Sequence, residues 1–158
     1  MSRDPLDDPE PLIRRVYGYA AYRLGNGAEA DDVTAETMER AVRYRKSFDP
    51  AKGRADDWVI GIARRCVDDA LAARRAEPES AEEPADYELE ADVVRRVTLM
   101  AAISQLSDRD RELIALRYGS DLSARQIARI LGMRTNAVEV AVHRALSRLR
   151  PLLEENDM

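Results

Sequence analysis

Asp121–Arg150 reads DLSARQIARILGMRTNAVEVAVHRALSRLR, and its punctuation decides the fold. Ser123 is an N-cap residue, and Gln126, three positions on, can reach back to complete a capping box. Ile127, Ala128, Ile130 and Leu131 then supply an apolar stripe at helical spacing. Gly132 ends that helix, since glycine takes the left-handed cap conformation at little steric cost. A second, longer helix is predicted from Arg134 or Thr135.

On a wheel of about 100° per residue, Val138, Val142, Ala145, Leu146, Leu149 and Leu152 fall on one side of this second helix and face a core. Asn136, Val140, His143 and Ser147 fall opposite, flanked by Thr135, Glu139, Arg144, Arg148 and Arg150. A solvated amphipathic helix is the ordinary explanation of such polarity. A capped helix, a glycine turn and an Arg-rich helix in succession favour a helix-turn-helix instead, with amide and guanidinium groups suited to base edges and phosphates. Val140 points away from the core, where it can touch a thymine methyl.

The 158 residues allow one ordinary domain or two small ones, and 45% hydrophobic residues suffice for a packed core. Cys66 is the single cysteine, so no internal disulfide or cysteine metal cluster can form, and no metal site is expected. Apolar runs of membrane-spanning length are absent, and the acidic, Pro-rich start is unlike a signal peptide, so the chain is expected in the cytoplasm without membrane insertion. The net charge of −5 is concentrated in one segment. Residues 1–76 carry 14 basic and 14 acidic groups; residues 77–92 carry eight acids and no base; residues 93–158 carry 11 basic and eight acidic groups. The negative average is therefore no argument against a nucleic-acid partner.

In chain order, residues 1–10 are expected to fray. A helix is predicted over 11–24, ended by Gly25-Asn26-Gly27, and another over 28–44 with Ala30, Val33, Thr37, Ala41 and Tyr44 as its buried stripe. The second exposes Asp32, Glu36, Glu39, Arg40 and Arg43, and acids at its start can also serve its dipole. A turn-rich loop, SFDPAKGRADD, leads to a third helix from Asp57 through Trp58, Ile62, Cys66 and Leu71 to Arg75. Gly61 inside it costs about 1 kcal/mol relative to alanine, without an evident reason. Residues 77–92, with two prolines and eight acids, read as a flexible linker between two independently folding lobes, 1–76 and 93–158. A further helix is predicted from near Tyr87 through Val93, Val94, Val97 and Met100 to Gln105, and another from the Ser107 cap to Tyr118. Strand alternation is absent, so the fold class is all-α: two small helical lobes, the second containing the helix-turn-helix.

Enzyme signatures are missing. There is no Gly-rich phosphate loop after a strand, and the single histidine, His143, leaves no Ser/His or Cys/His pair to assemble. No catalytic role, cofactor or small-molecule substrate is expected.

Two longer segments carry a resemblance. AEADDVTAETMERAVRYRKSFDPAKGRADDWVIGIARRCVDDALAARR is similar to region 2 of bacterial sigma factors, and LSDRDRELIALRYGSDLSARQIARILGMRTNAVEVAVHRALSRLR to their region 4. The ordered pair, W-V-x-G-I-A-R-R and L-S-x-x-Q-I-A-x-x-L-G, resembles the extracytoplasmic-function group, which lacks the first and third regions.

That resemblance implies an alternative sigma factor that binds core RNA polymerase and directs initiation at particular promoters. Asp31, Asp32, Glu36 and Arg40 would dock on the polymerase clamp coiled coil, and the flap region is the other implied contact on core polymerase. Phe48, Lys52, Arg54, Trp58, Arg64, Arg65, Arg74 and Arg75 would capture and open the −10 element. Splayed bases need aromatics or pockets, and the strand needs cations. For Trp58, core packing is the stronger expectation. Arg134, Thr135, Asn136, Glu139, Val140, His143, Arg144 and Arg148 would read the −35 element. The sixteen linker residues reach at most about 55 Å, enough to let two lobes sit on separate promoter elements. An anti-sigma protein is a further implied partner. The chain departs from the family pattern at Arg65, where asparagine is usual, at Ala70, Ala72 and Ala73, where the basic run is thinned, and at Glu139 and Ala141, which replace a basic pair. A stand-alone helix-turn-helix regulator and a sigma-like decoy that occupies an anti-sigma protein are the alternatives.

Overall fold

The structure, a computed structural model, describes residues 4–77 and 90–156. Seven α-helices and no strand occur among the described residues. Helix α1 (Pro9–Leu24) begins on Pro9, whose missing N–H is harmless in a first turn. It starts two residues earlier than predicted. The preceding residues are held too: Asp4 Oδ1 accepts from the Leu6 amide at 2.9 Å, and Asp4 Oδ2 pairs with Arg45 at 3.1 Å.

Helix α2 (Ala28–Arg43) buries Ala30, Val33, Thr34, Thr37 and Ala41. The two threonine hydroxyls donate to the carbonyls of Ala30 and Val33, at 2.8 and 2.7 Å, so they enter the core satisfied. Tyr44, predicted on this stripe, is 53% exposed, because the helix ends at Arg43 and a 3₁₀ turn, Arg45–Ser47, redirects the chain. Helix α3 (Ala55–Ala76) turns Val59, Ile60, Ala63, Cys66 and Val67 inward. The stripe is thus one residue round from the prediction, leaving Trp58 and Ile62 half-buried at its edge.

Helix α4 (Ala91–Ser104) begins later than the predicted Tyr87; residues 78–89, most of the expected linker, lie outside the described residues. Its buried residues are Ala102 and Ile103, while Val94 and Val97 are 47% and 51% exposed. The predicted apolar stripe is therefore open in its first two turns, because the helix reaches the core only at its C-terminal end. Helix α5 (Asp108–Ile114) is capped by Ser107 Oγ, which accepts from the Asp110 amide at 3.2 Å. It continues as a π turn, Ala115–Gly119, marked by the Ser120 amide donating to the Ala115 carbonyl at 2.9 Å.

Helices α6 (Ala124–Leu131) and α7 (Thr135–Asn156) form the helix-turn-helix. Ser123 and Gln126 make both bonds of the capping box, at 3.1 and 3.0 Å. Gly132 adopts φ 65°, ψ 37°, the left-handed cap expected of it. Pro151 sits inside α7, near its C-terminal end.

The two lobes pack against each other through a shared core. One continuous cluster joins Val16, Tyr19 and Ala20 of α1 to Leu113, Leu116, Leu122 and Ile127 of the second lobe. A smaller cluster, Ala102, Ile103, Ile114, Ala145 and Leu149, ties α4 to α5 and α7. The seam is also stitched by polar bonds. Arg15 donates to the carbonyls of Ser120 at 2.7 Å and Asp121 at 3.0 Å, and Ser120 Oγ donates back to the Arg15 carbonyl at 2.7 Å. Asp121 takes φ 55° there, a left-handed conformation that asparagine and aspartate tolerate better than other side chains. At the centre, Gly18 of α1 lies backbone-to-backbone against Gly119, where a Cβ on Gly119 would stand 2.6 Å from the Gly18 carbonyl oxygen. Glycine inside a helix costs about 1 kcal/mol, and this approach is what requires it.

Candidate nucleic-acid interface

Helix α7 is held by Val138, Val142, Ala145 and Leu149, which are buried as the wheel requires. That fixes its opposite face outward. Arg134, Asn136, Glu139, Val140, His143 and Arg144 are exposed along it, and Thr135 is half-buried in the first turn. Val140, 49% exposed, is an apolar residue with no core to join. A groove of about 540 Å³ runs beside this face, lined by Met133, Asn136, Val140, Arg144, Arg148 and Arg109 of α5. Arg148 differs from its neighbours, because Asp110 of α5 holds its guanidinium.

The first lobe presents a second concave surface. Phe48, Lys52, Arg54, Trp58, Arg64 and Arg65 all line one open pocket of about 460 Å³. Phe48 and Trp58 meet with ring centroids 5.5 Å apart and planes tilted by 58°. Trp58 packs against the core and also lines the pocket. Gly61 lines the same pocket, and a Cβ there would meet nothing within 4 Å. Arg74 and Arg75 lie apart from it. Arg74 donates to the Leu24 carbonyl at 2.5 Å and pairs with Glu29, closing the first lobe against itself. Arg75 is exposed at the end of α3.

Asp31, Asp32 and Glu36 are exposed on α2, with Asp32 and Glu36 one turn apart on a single face. Arg40 spans this face, reaching Glu36 at 2.6 Å and Asp69 of α3 at 3.5 Å. It therefore partly neutralises the acidic patch it borders.

Several residues at the seam carry more than the sequence suggests. Glu112 of α5 enters the first lobe, where it accepts from the Tyr19 hydroxyl at 2.6 Å and from Arg64 Nε at 2.8 Å, and forms an ion pair with Arg23, whose Nε lies 3.2 Å away. Burial, then the charge and hydrogen bond of Glu112, push the Tyr19 phenol well above its ordinary pKa. Arg111 is held below its ordinary value by burial and by nearby Arg23 and Arg74. Arg129 and Ile130 of α6 wall the first-lobe pocket from the other side, where Arg129 reaches Asp57 at 3.5 Å. As solitary polar residues on predicted helices, Glu112 and Arg129 gave no local signal; their partners lie 48 or more residues away.

Cys66 is buried, and burial pushes its thiol up, so it behaves as a small core side chain. Among the described residues no cluster of His, Cys, Asp and Glu could hold a metal ion, and no helix is long and apolar enough to cross a membrane.

Comparisons with known proteins agree with this geometry. The family model for sigma-70 region 2 matches residues 10–77, and that for sigma-70 region 4 matches residues 96–149. The ECF RNA polymerase sigma factor BldN of Streptomyces coelicolor is 31% identical over 152 residues, covering 89% of this chain and 57% of its own length, so the chain spans little more than half of that relative. The ECF RNA polymerase sigma factor SigD of Mycobacterium tuberculosis is 35% identical, with 94% of this chain and 74% of SigD covered. Among solved structures, the sigma factor RpoE of Bartonella quintana, in complex with the anti-sigma factor NepR, superposes with a TM-score of 0.69 at 24% identity, covering 90% of this chain and 92% of that one.

Proposed function

The chain belongs to the extracytoplasmic-function sigma factors of bacterial RNA polymerase, and we propose that it directs promoter-specific initiation through two separate DNA surfaces and one acidic docking face. The convergence of Phe48, Trp58, Lys52, Arg54, Arg64 and Arg65 on one pocket carries this reading. Melting a duplex requires a place for an unstacked base beside cations that hold its strand, and this pocket offers both. The −10 element belongs there. The −35 element belongs on α7, where Asn136, Glu139, His143 and Arg144 offer amide, carboxylate, imidazole and guanidinium groups to base edges around Val140.

Asp31, Asp32 and Glu36 form the face for the polymerase clamp, and the second lobe meets the flap region. The chain binds and positions other molecules; it catalyses nothing itself, and it works in the cytoplasm. RpoE, its structural neighbour, is seen with an anti-sigma factor, and we infer that a protein of that kind restrains this chain too.

Arg74 is engaged inside the first lobe and Ala70, Ala72 and Ala73 are uncharged, so −10 binding rests on the pocket cations. Run-off transcription with core polymerase on genomic promoter fragments tests the reading. A working factor yields discrete transcripts that neither core alone nor chain alone produces. Capture of an anti-sigma protein without any transcript would replace it with the decoy reading.

A further inference from the structure

Arg23 is 5% exposed and carries a charge that water cannot reach. Its Nε and Nη1 have no hydrogen-bond partner, although Nε lies 3.2 Å from Glu112 Oε2. The Glu112 carboxylate therefore compensates its charge without filling its donors. Tyr19 hydroxyl and Arg64 Nε donate to the two oxygens of the same carboxylate, so two helices of the first lobe surround it with two donors and the buried Arg23 guanidinium. Those oxygens come from the second lobe. A cradle with spare donor capacity, filled by a carboxylate from the other lobe, has the properties of an anion site occupied by a tethered stand-in.

Arg64 connects the cradle to the neighbouring pocket. The same side chain lines the pocket of Lys52, Arg54 and Arg65, so a strand crossing that pocket arrives at the cradle. While Glu112 holds Arg64, the strand cannot. We propose that Tyr19, Arg23 and Arg64 form a binding site for a backbone phosphate of promoter DNA, and that Glu112 occupies it until the two lobes part. A phosphodiester matches the carboxylate in charge and in presenting two acceptor oxygens, which is the geometry a guanidinium engages best. This rests on the sigma-factor reading for the identity of the ligand, though not for the existence of the site.

The test uses the full chain without polymerase, with inorganic phosphate and a twelve-nucleotide oligo(dT) as probes. In Glu112→Gln the competing charge is gone and the side-chain shape is kept. Phosphate, against chloride at equal ionic strength, should raise the melting temperature of this variant more than that of the wild type. Oligo(dT) should bind it about tenfold tighter, with a log–log salt slope steeper by roughly 0.7 for each phosphate gained. Both gains should vanish when Arg23→Gln is added. Should Glu112→Gln fail to fold, Gly18→Ala forces the lobes apart with Glu112 intact and should also tighten oligo(dT) binding.

Phosphate and oligo(dT) affinities equal to wild type in both variants would overturn the site. Gains that survive Arg23→Gln would reduce it to a change in overall charge. A phosphate response without an oligo(dT) response would remove DNA as the ligand. Run-off transcription by the wild type reports on the sigma-factor reading separately, so the two failures are distinguishable.

Discussion

Arg148 Nη1 lies 2.8 Å from each carboxylate oxygen of Asp110, so this arginine on the outer face of α7 is bonded to the helix beside it. Asp110 is almost wholly buried, whereas Arg148 remains largely open to solvent. Truncating Arg148 leaves a buried carboxylate without its partner. Arg148→Ala is expected to lower stability by about 1–3 kcal/mol and to leave the −35 base preference as it was. Arg144→Ala, which breaks no hydrogen bond or ion pair among the described residues, is expected to do the reverse. Urea melts and a −35 mutant panel separate the two.

The α2 face gives a cleaner separation of folding from binding. Asp32 and Glu36 are exposed, and the Glu36–Arg40 pair is worth at most about 0.5 kcal/mol as an i,i+4 surface pair. Reversing both acids to lysine is expected to abolish binding to core polymerase with the melting temperature nearly unchanged. Undiminished binding in a pull-down with core enzyme would place the docking face elsewhere.

Tyr19 makes stability depend on alkaline pH. Its native pKa is raised well above the ordinary phenol value of 10.0, so the folded chain holds a proton that the unfolded chain releases. The stabilisation is complete below about pH 10 and is lost as pH rises through the native pKa. In that window wild-type stability should fall about 1.4 kcal/mol per pH unit more steeply than that of Tyr19→Phe. Parallel denaturant melts from pH 9 upward read the difference directly; equal slopes would mean Tyr19 ionises freely.

Glu139 stands exposed on the reading face without an ion-pair partner among the described residues. A carboxylate repels phosphates but accepts from the cytosine amino group. If it reads cytosine, Glu139→Ala loses about 1–3 kcal/mol of discrimination at one base pair and little elsewhere, which is the expected outcome. Uniformly tighter binding across a −35 panel would make it a repulsive element only.

Local punctuation made much of the fold legible. Ser107, Ser123, Gln126 and Gly132 act within three or four residues of themselves, so their roles can be read directly. Six of the eight −10 candidates meet in one pocket because they lie on one loop and the first turns of the helix that follows it. Arg74 escapes that logic, since its partner is the Leu24 carbonyl, 50 residues away. The seam was illegible for the same reason. Periodicity marks which face of a helix is apolar; it does not say which neighbour covers it. Glu112, an acid with nothing local to mark it, is enclosed, whereas Val94 and Val97, apolar positions of the predicted helix, are open.

The contact between Gly18 and Gly119 has a consequence for how this chain can drift over generations. Most steric conflicts between two positions can be repaired by shrinking the opposite side chain. Here the obstacle to a Cβ on either residue is the other's backbone carbonyl, an atom that every amino acid carries. No second substitution at the facing position can restore the fit. The two glycines are thus locked individually, without the compensating partner that lets paired sites change together, and the closed arrangement can be lost in one mutational step but regained only by reversing that step.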